Sequence, residues 1–219
     1  MSISDNLKKI KSELGEGVTL VAVSKYSTNE EIQQAYDAGH RDFGENKAQD
    51  LEAKKEVLPN DIRWHFIGHL QRNKAKYIAD FIYLVHAVDS FKLLKELNKR
   101  AAKTHRLLPC LVQMHIAKED TKFGMDESEI EDLLTDPKVA ELQNVEIVGL
   151  MGMATNTDDT SKVNEEFATL KNLFEALKER DLPNNVRMEQ LSMGMSQDYK
   201  EALANGSTMV RIGSAVFKN

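Results

Sequence analysis

Lys25 is the residue at which chemistry could begin. It follows the run Thr19-Leu20-Val21-Ala22-Val23, five apolar or β-branched residues, with only Ser24 between. A short unbroken apolar run reads as a strand buried on both faces, as in a parallel sheet covered by helices. An ammonium is rarely buried without a partner, so a lysine where such a strand stops points into the mouth of the sheet, where α/β proteins place their sites. Two later strand ends carry compatible groups. Ser192-Met193-Gly194-Met195-Ser196 follows one, and Gly213-Ser214-Ala215 follows another. Both offer backbone N–H groups, hydroxyls and helix starts that suit an anion. Gly and Ser are ordinary turn residues, so neither segment is specific alone; the two gain force beside Lys25. Arg211, two residues before Gly213, shares its side of the strand.

Positioning such groups takes a repeating scaffold. Strands are expected at Thr19–Val23, Arg41–Gly44, Arg63–Ile67, Tyr83–Val88, Cys110–Ile116, Val145–Met151, Arg187–Leu191 and Thr208–Ile212. Between them, helical spacing and stop residues mark helices, the longest over roughly Lys162 to Arg180 with Phe167, Leu170, Leu173, Phe174 and Leu177 on one face. A first helix capped by Ser4 or Asp5 runs to about Leu14, and others cover Lys47–Val57, Asn73–Ala79 and Gln197–Ala204. Eight strands alternating with helices predict an α/β fold, a single (β/α)8 TIM barrel over residues 1–219. Little chain follows the eighth strand, so the extra N-terminal helix is expected to cover that side. An open doubly wound sheet is the runner-up architecture.

Composition excludes several classes. The chain of 219 residues is 41% hydrophobic and 29% charged, as in soluble globular proteins. Its net charge of −6, from 29 basic and 35 acidic residues, gives no reason to expect nucleic acid. Cys110 stands alone and fits a reducing compartment and a core position. The N-terminus lacks the regions of a signal peptide, and no apolar run approaches the roughly 20 residues of a membrane helix. A cytoplasmic protein, monomeric and with no membrane partner, is the expectation. His65 and His69 are four apart, yet they straddle a strand end and a glycine rather than share a helix face, so a metal is not expected.

A strand-end lysine facing a phosphate cup matches what pyridoxal phosphate requires, an amine for the aldehyde and donors for the phosphate. Arg211 would turn its guanidinium towards the pyridine nitrogen. The motifs Val23-Ser24-Lys25, Phe43-Gly44-Glu45-Asn46, Trp64-His65-Phe66-Ile67-Gly68, Gly149-Leu150-Met151, Leu191-Ser192-Met193-Gly194-Met195-Ser196 and Gly206-Ser207-Thr208-Met209-Val210-Arg211-Ile212-Gly213 follow one known order. The chain thereby resembles the pyridoxal phosphate homeostasis protein (YggS/PROSC) family from about Val18 to Phe217. The resemblance implies a fold-type III barrel like the N-terminal domain of alanine racemase, with pyridoxal 5'-phosphate held as a Schiff base on Lys25. It also implies that Ser192, Gly194, Gly213 and Ser214 hold the phosphate, that Arg211 faces the ring nitrogen, and that Asn46, His65 and Met151 line the ring pocket. Ser214 stands where threonine is common, Lys218 where glycine is, and Lys47 where an aromatic is frequent.

The function expected is binding, buffering and delivery of pyridoxal phosphate, with apo forms of enzymes that use it as recipients. An arginine at the pyridine nitrogen disfavours its protonation and weakens carbanion chemistry. The racemases of this fold add a tyrosine base from a second, β-rich domain, and no such domain is expected here. Two alternatives stay open. One is a racemase-like amino-acid enzyme whose second base is Lys122, His115 or Tyr199; the other is a Schiff-base aldolase without a cofactor. Exchange of the α-proton of alanine or serine separates the first from a carrier, and a colourless protein that traps a carbonyl would mark the second.

Overall fold

A computed structural model describes residues 2–117 and 123–218. The elements in order are α1 (Ile3–Leu14), β1 (Thr19–Val23), α2 (Asn29–Asp37), β2 (Asp42–Glu45), α3 (Ala48–Val57), β3 (Arg63–Phe66), a 3-10 segment (Arg72–Tyr77), β4 (Leu84–Val88), α4 (Phe91–Ala102), β5 (Leu108–Met114), α5 (Glu127–Thr135), α6 (Pro137–Ala140), β6 (Val145–Gly152), α7 (Thr160–Lys178), β7 (Val186–Ser192), α8 (Tyr199–Ala204), β8 (Met209–Ile212) and α9 (Ser214–Phe217). The strands run parallel in the order β1 to β8 and close into a barrel. Closure rests on β1 and β8, which pair from Thr19↔Met209 to Ala22↔Ile212. That pairing decides for the barrel over the open sheet.

The apolar runs of the strands serve two layers. One face packs on the helices, where α7 buries Phe167, Leu170, Phe174 and Leu177 at helical spacing and α4 buries Leu93, Leu94 and Leu97. Each such side chain contributes about 1.5–3 kcal/mol by leaving water. The other face fills the barrel with Val21, Leu84, Leu111, Met151 and Met209. Cys110 is fully buried, which pushes its thiol far above the ordinary range.

The first helix lies where the sequence expects it. Its Asn6 amide donates to the carbonyl of Val216 at 3.1 Å, tying α1 to α9 beyond the last strand. Its cap, however, is Ser2 rather than Ser4 or Asp5; Ser2 and Asp5 form a reciprocal capping box, so Asp5 is the third helical residue. The segment after β3 winds as a 3-10 helix instead of an α-helix. β5 begins at Leu108, two residues before the expected Cys110, with Pro109 tolerated near the strand start.

Candidate functional site

The mouth of the barrel at the strand carboxyl ends opens into a cavity of about 850 Å³. Val21 faces the barrel interior, and alternation carries Val23 and Lys25 to the same side, one level higher at each step. Val21 is in register with Arg211, so the lysine and arginine reach the cavity from adjacent strands. The Lys25 ammonium lies 5.1 Å from the ring centre of Tyr26, which is 88% exposed at the rim. Among the described residues no carboxylate forms an ion pair with Lys25.

The residue before Lys25 is held from two sides. The Ser24 hydroxyl donates to Glu45 Oε1 at 2.7 Å, and its carbonyl accepts from Lys54 Nζ at 2.8 Å. Lys54 also meets Glu45 at 2.6 Å. This cluster joins the ends of β1 and β2 to α3 and fixes the backbone from which Lys25 projects.

The wall next to β1 carries hydroxyls and backbone N–H groups; a Cβ on Gly213 would lie 3.0 Å from the Val23 carbonyl oxygen. Ser196, Gly213 and Ser214 line it, and the Gly213 N–H donates to Ser196 Oγ at 3.3 Å. In the short α9 the Val216 N–H is taken by the Gly213 carbonyl at 3.0 Å, and the N–H groups of Ser214 and Ala215 are those a helix start leaves without an intrahelical partner. Gly194 makes the approach possible. Its φ is +96°, and a Cβ there would lie 2.6 Å from that of Ala202. An amine that lines the same cavity as a set of hydroxyls and N–H groups can hold a molecule carrying both an aldehyde and a phosphate.

Arg211 forms the floor, although only 3% of its surface is exposed. It donates from Nη1 to the Ser192 hydroxyl at 2.6 Å and from Nη2 to the Gly152 carbonyl at 2.9 Å. Burial lowers its pKa to about 10, still well above neutral pH, so it remains a cation. Below it, Ser192 meets Nδ1 of His86 at 3.0 Å, His86 Nε2 meets Nδ1 of His65 at 3.0 Å, and His65 Nε2 meets Asp42 at 3.1 Å. Arg63 closes the far end on Asp42 with two bonds.

The family model for the alanine racemase N-terminal domain matches residues 1–219. A pyridoxal phosphate homeostasis protein of Aquifex aeolicus is 33% identical over 98% of this chain and 94% of its own. That of Schizosaccharomyces pombe is 36% identical over 94% and 86%. The chain belongs to the pyridoxal phosphate homeostasis protein family. PipY of Synechococcus elongatus PCC7942, solved with pyridoxal phosphate bound, is 34% identical, covers 98% of this chain and 99% of its own, and superposes with a TM-score of 0.88. Alanine racemase from Bartonella henselae, at 18% identity and a TM-score of 0.77, shares the barrel over 58% of its length.

Within this homeostasis-family barrel, the residues singled out by sequence separate into two groups. Lys25, Arg211, Gly213 and Ser214 share the cavity wall. Gly194 shapes the loop behind it. Asn46 follows the end of β2 and is not among the residues that line the cavity; it lies so close to Gly68 that a Cβ on the glycine would be 2.5 Å from the Asn46 carbonyl oxygen. His65, Met151 and Ser192 are fully buried in the barrel below the cavity. Tyr199 is a poor candidate base. It donates from its hydroxyl to Glu13 at 2.5 Å, and burial together with that carboxylate raises it to about 12. Lys122 lies outside the described residues.

Sequence reasoning missed the loop after β6. The Thr155 N–H and hydroxyl both donate to the buried Glu166 of α7, at 2.6 and 2.7 Å. That anchor places Asn156 and Thr157 in the cavity wall. Nothing local in Ala154-Thr155-Asn156 announces it, because the partner is eleven residues away. His86 was also passed over, although a histidine inside the buried strand Leu84-Val85-His86-Ala87-Val88 is a polar group in need of a partner.

Proposed function

We propose that this protein binds, buffers and delivers pyridoxal 5'-phosphate. The carrying observation is that Lys25, Arg211, Ser196, Gly213 and Ser214 line a single cavity at the carboxyl ends of the strands. When bound, the cofactor supplies an aldehyde that condenses with an amine and a ring that withdraws electrons. Lys25 is that amine, and among the described residues no carboxylate is paired with it. Ser196, Gly213 and Ser214 hold the phosphate by hydroxyl and N–H donors, with Gly194 giving the preceding loop its turn. Arg211, fixed by Ser192 and Gly152, holds its positive charge under the ring nitrogen and keeps a proton off it.

That charge argues for a carrier. A ring kept unprotonated is a weak electron sink, and racemisation needs a second base opposite the lysine. Among the described residues the cavity wall holds no histidine, and its carboxylates are Glu31, Asp158, Asp198 and Glu201, which the proton-exchange test below addresses. The relatives' names support the same reading, as does the pyridoxal phosphate seen in PipY. The wide mouth, with Tyr26 exposed at its edge, suits hand-over to recipient apo-enzymes.

The test is transfer. Loaded protein is mixed with the apo form of an enzyme that uses pyridoxal phosphate, and recovery of that enzyme's activity is followed beside the exchange of the α-proton of alanine and serine in deuterium oxide. Recovery without sustained exchange is expected. Sustained exchange by the loaded protein would overturn the carrier reading in favour of a racemase-like enzyme.

A further inference from the structure

Five buried polar side chains cross the barrel in one file, and their hydrogen bonds can be oriented in only one way. Arg211 has donors and no acceptor, so the Ser192 oxygen must accept from it. The single hydroxyl hydrogen of Ser192 then has one acceptor among the described residues, Nδ1 of His86 at 3.0 Å. With Nδ1 accepting, a neutral His86 carries its proton on Nε2 and donates to Nδ1 of His65, also at 3.0 Å. His65 in turn donates from Nε2 to the Asp42 carboxylate at 3.1 Å. The reverse order would leave the serine hydrogen without an acceptor and set an imidazole lone pair against a carboxylate. Every bond therefore points from Arg211 towards Asp42.

We propose that His86, backed by His65 and Asp42, is a positioning residue for Arg211, acting through the Ser192 hydroxyl. His86 fixes the direction of the serine hydrogen and so presents the oxygen lone pair to the guanidinium. Gly152 pins the other Nη group. Two of the nitrogens are thus held from below, which fixes the plane and height of the guanidinium at the cavity floor. At the far end Arg63 neutralises Asp42, so the carboxylate does not draw a proton into the file. Burial, which holds both imidazoles below their ordinary pKa, agrees with two neutral rings.

The inference rests on the pyridoxal phosphate reading for its consequence and on the apo-protein for its geometry, and the two can be tested apart. In unloaded protein at pH 7, long-range proton–nitrogen NMR should show His65 and His86 both as neutral Nε2–H tautomers. Ser192→Ala should shift only the accepting nitrogen of His86 strongly. An Nδ1–H tautomer or an imidazolium at either ring would overturn the proposal. In loaded protein, His86→Met, which offers no comparable acceptor, should weaken pyridoxal phosphate binding about tenfold and move the visible band. His86→Gln, which keeps one acceptor and one donor, should stay within about threefold of the parent. Should His86→Met fail to fold, Ser192→Ala carries the same expectation. Parent-like affinity and spectrum in the variant lacking the contact would overturn positioning. A parent protein that takes up no pyridoxal phosphate would overturn the cofactor reading, while the tautomers still decide the file.

Discussion

The Lys54 ammonium lies 2.6 Å from the carboxylate of Glu45, which is fully buried at the end of β2. The same ammonium donates to the Ser24 carbonyl, so this ion pair ties α3 and β2 to the last residue before Lys25. Removing the cation would leave a buried charge with only a serine hydroxyl to satisfy it. Lys54→Met should therefore cost about 3–5 kcal/mol of stability in urea unfolding. The double variant with Glu45→Gln should recover part of the loss. A single variant as stable as the parent would show that the pair carries little.

Acid should destabilise the fold in two windows. Burial, aided by the charge of Lys11, lowers His40 to about 4, and burial also lowers His65 and His86. An unfolded histidine titrates near 6.5, so between that value and the folded one the unfolded chain binds protons that the native state refuses. Stability is then complete above about pH 6.5 and falls as pH drops, with a slope approaching about 1.4 kcal/mol per pH unit for each histidine. For Asp42 burial alone would raise the pKa, but hydrogen bonds from Arg63 and His65 outweigh it and hold the carboxyl below its usual range. Its contribution is complete above the unfolded value of about 3.9 and is lost only as pH falls through the lower folded one. Urea midpoints measured from pH 7 to 4 should fall steeply, and less steeply in His40→Gln. Midpoints that stay flat down to pH 4.5 would contradict this assignment.

Gly194→Ala should damage the proposed phosphate wall through the backbone. The position has a φ of +96°, and the new methyl would meet Ala202 at 2.6 Å and the Tyr199 Cα at 3.0 Å. Strain of about 1–3 kcal/mol follows, together with displacement of Ser196 two residues on. A lowered melting temperature and weaker retention of pyridoxal phosphate are expected on dialysis. Full retention would mean that the loop relaxes without moving Ser196.

The barrel was legible because each strand is a short apolar run and each helix a periodic one. Thr19 to Lys25 alone carries the strand, its end and the amine. Ranges slipped where tertiary contacts overrode local pattern, as at Leu108 and Pro109, which read as loop and lie in β5. Gly213-Ser214 and the loop ending at Ser196 stood out by residue type, and both reach the cavity wall. The place of Ser192 in its motif does not tell which way it faces; in the fold its hydroxyl oxygen accepts from Arg211 inside the barrel. The Asp42–His65–His86 file was invisible for the same reason. Its members come from three strands, and only closure of the barrel brings them together.

The central claim is tested most directly at Lys25. Purified protein is incubated with pyridoxal phosphate, its visible absorbance recorded before and after borohydride, and the reduced adduct located by peptide mass mapping. A visible band discharged by borohydride, with the adduct on Lys25 and none in Lys25→Ala, is the predicted result. A protein that stays colourless, or an adduct carried by other lysines and undiminished in Lys25→Ala, would contradict the assignment of this cavity to pyridoxal phosphate.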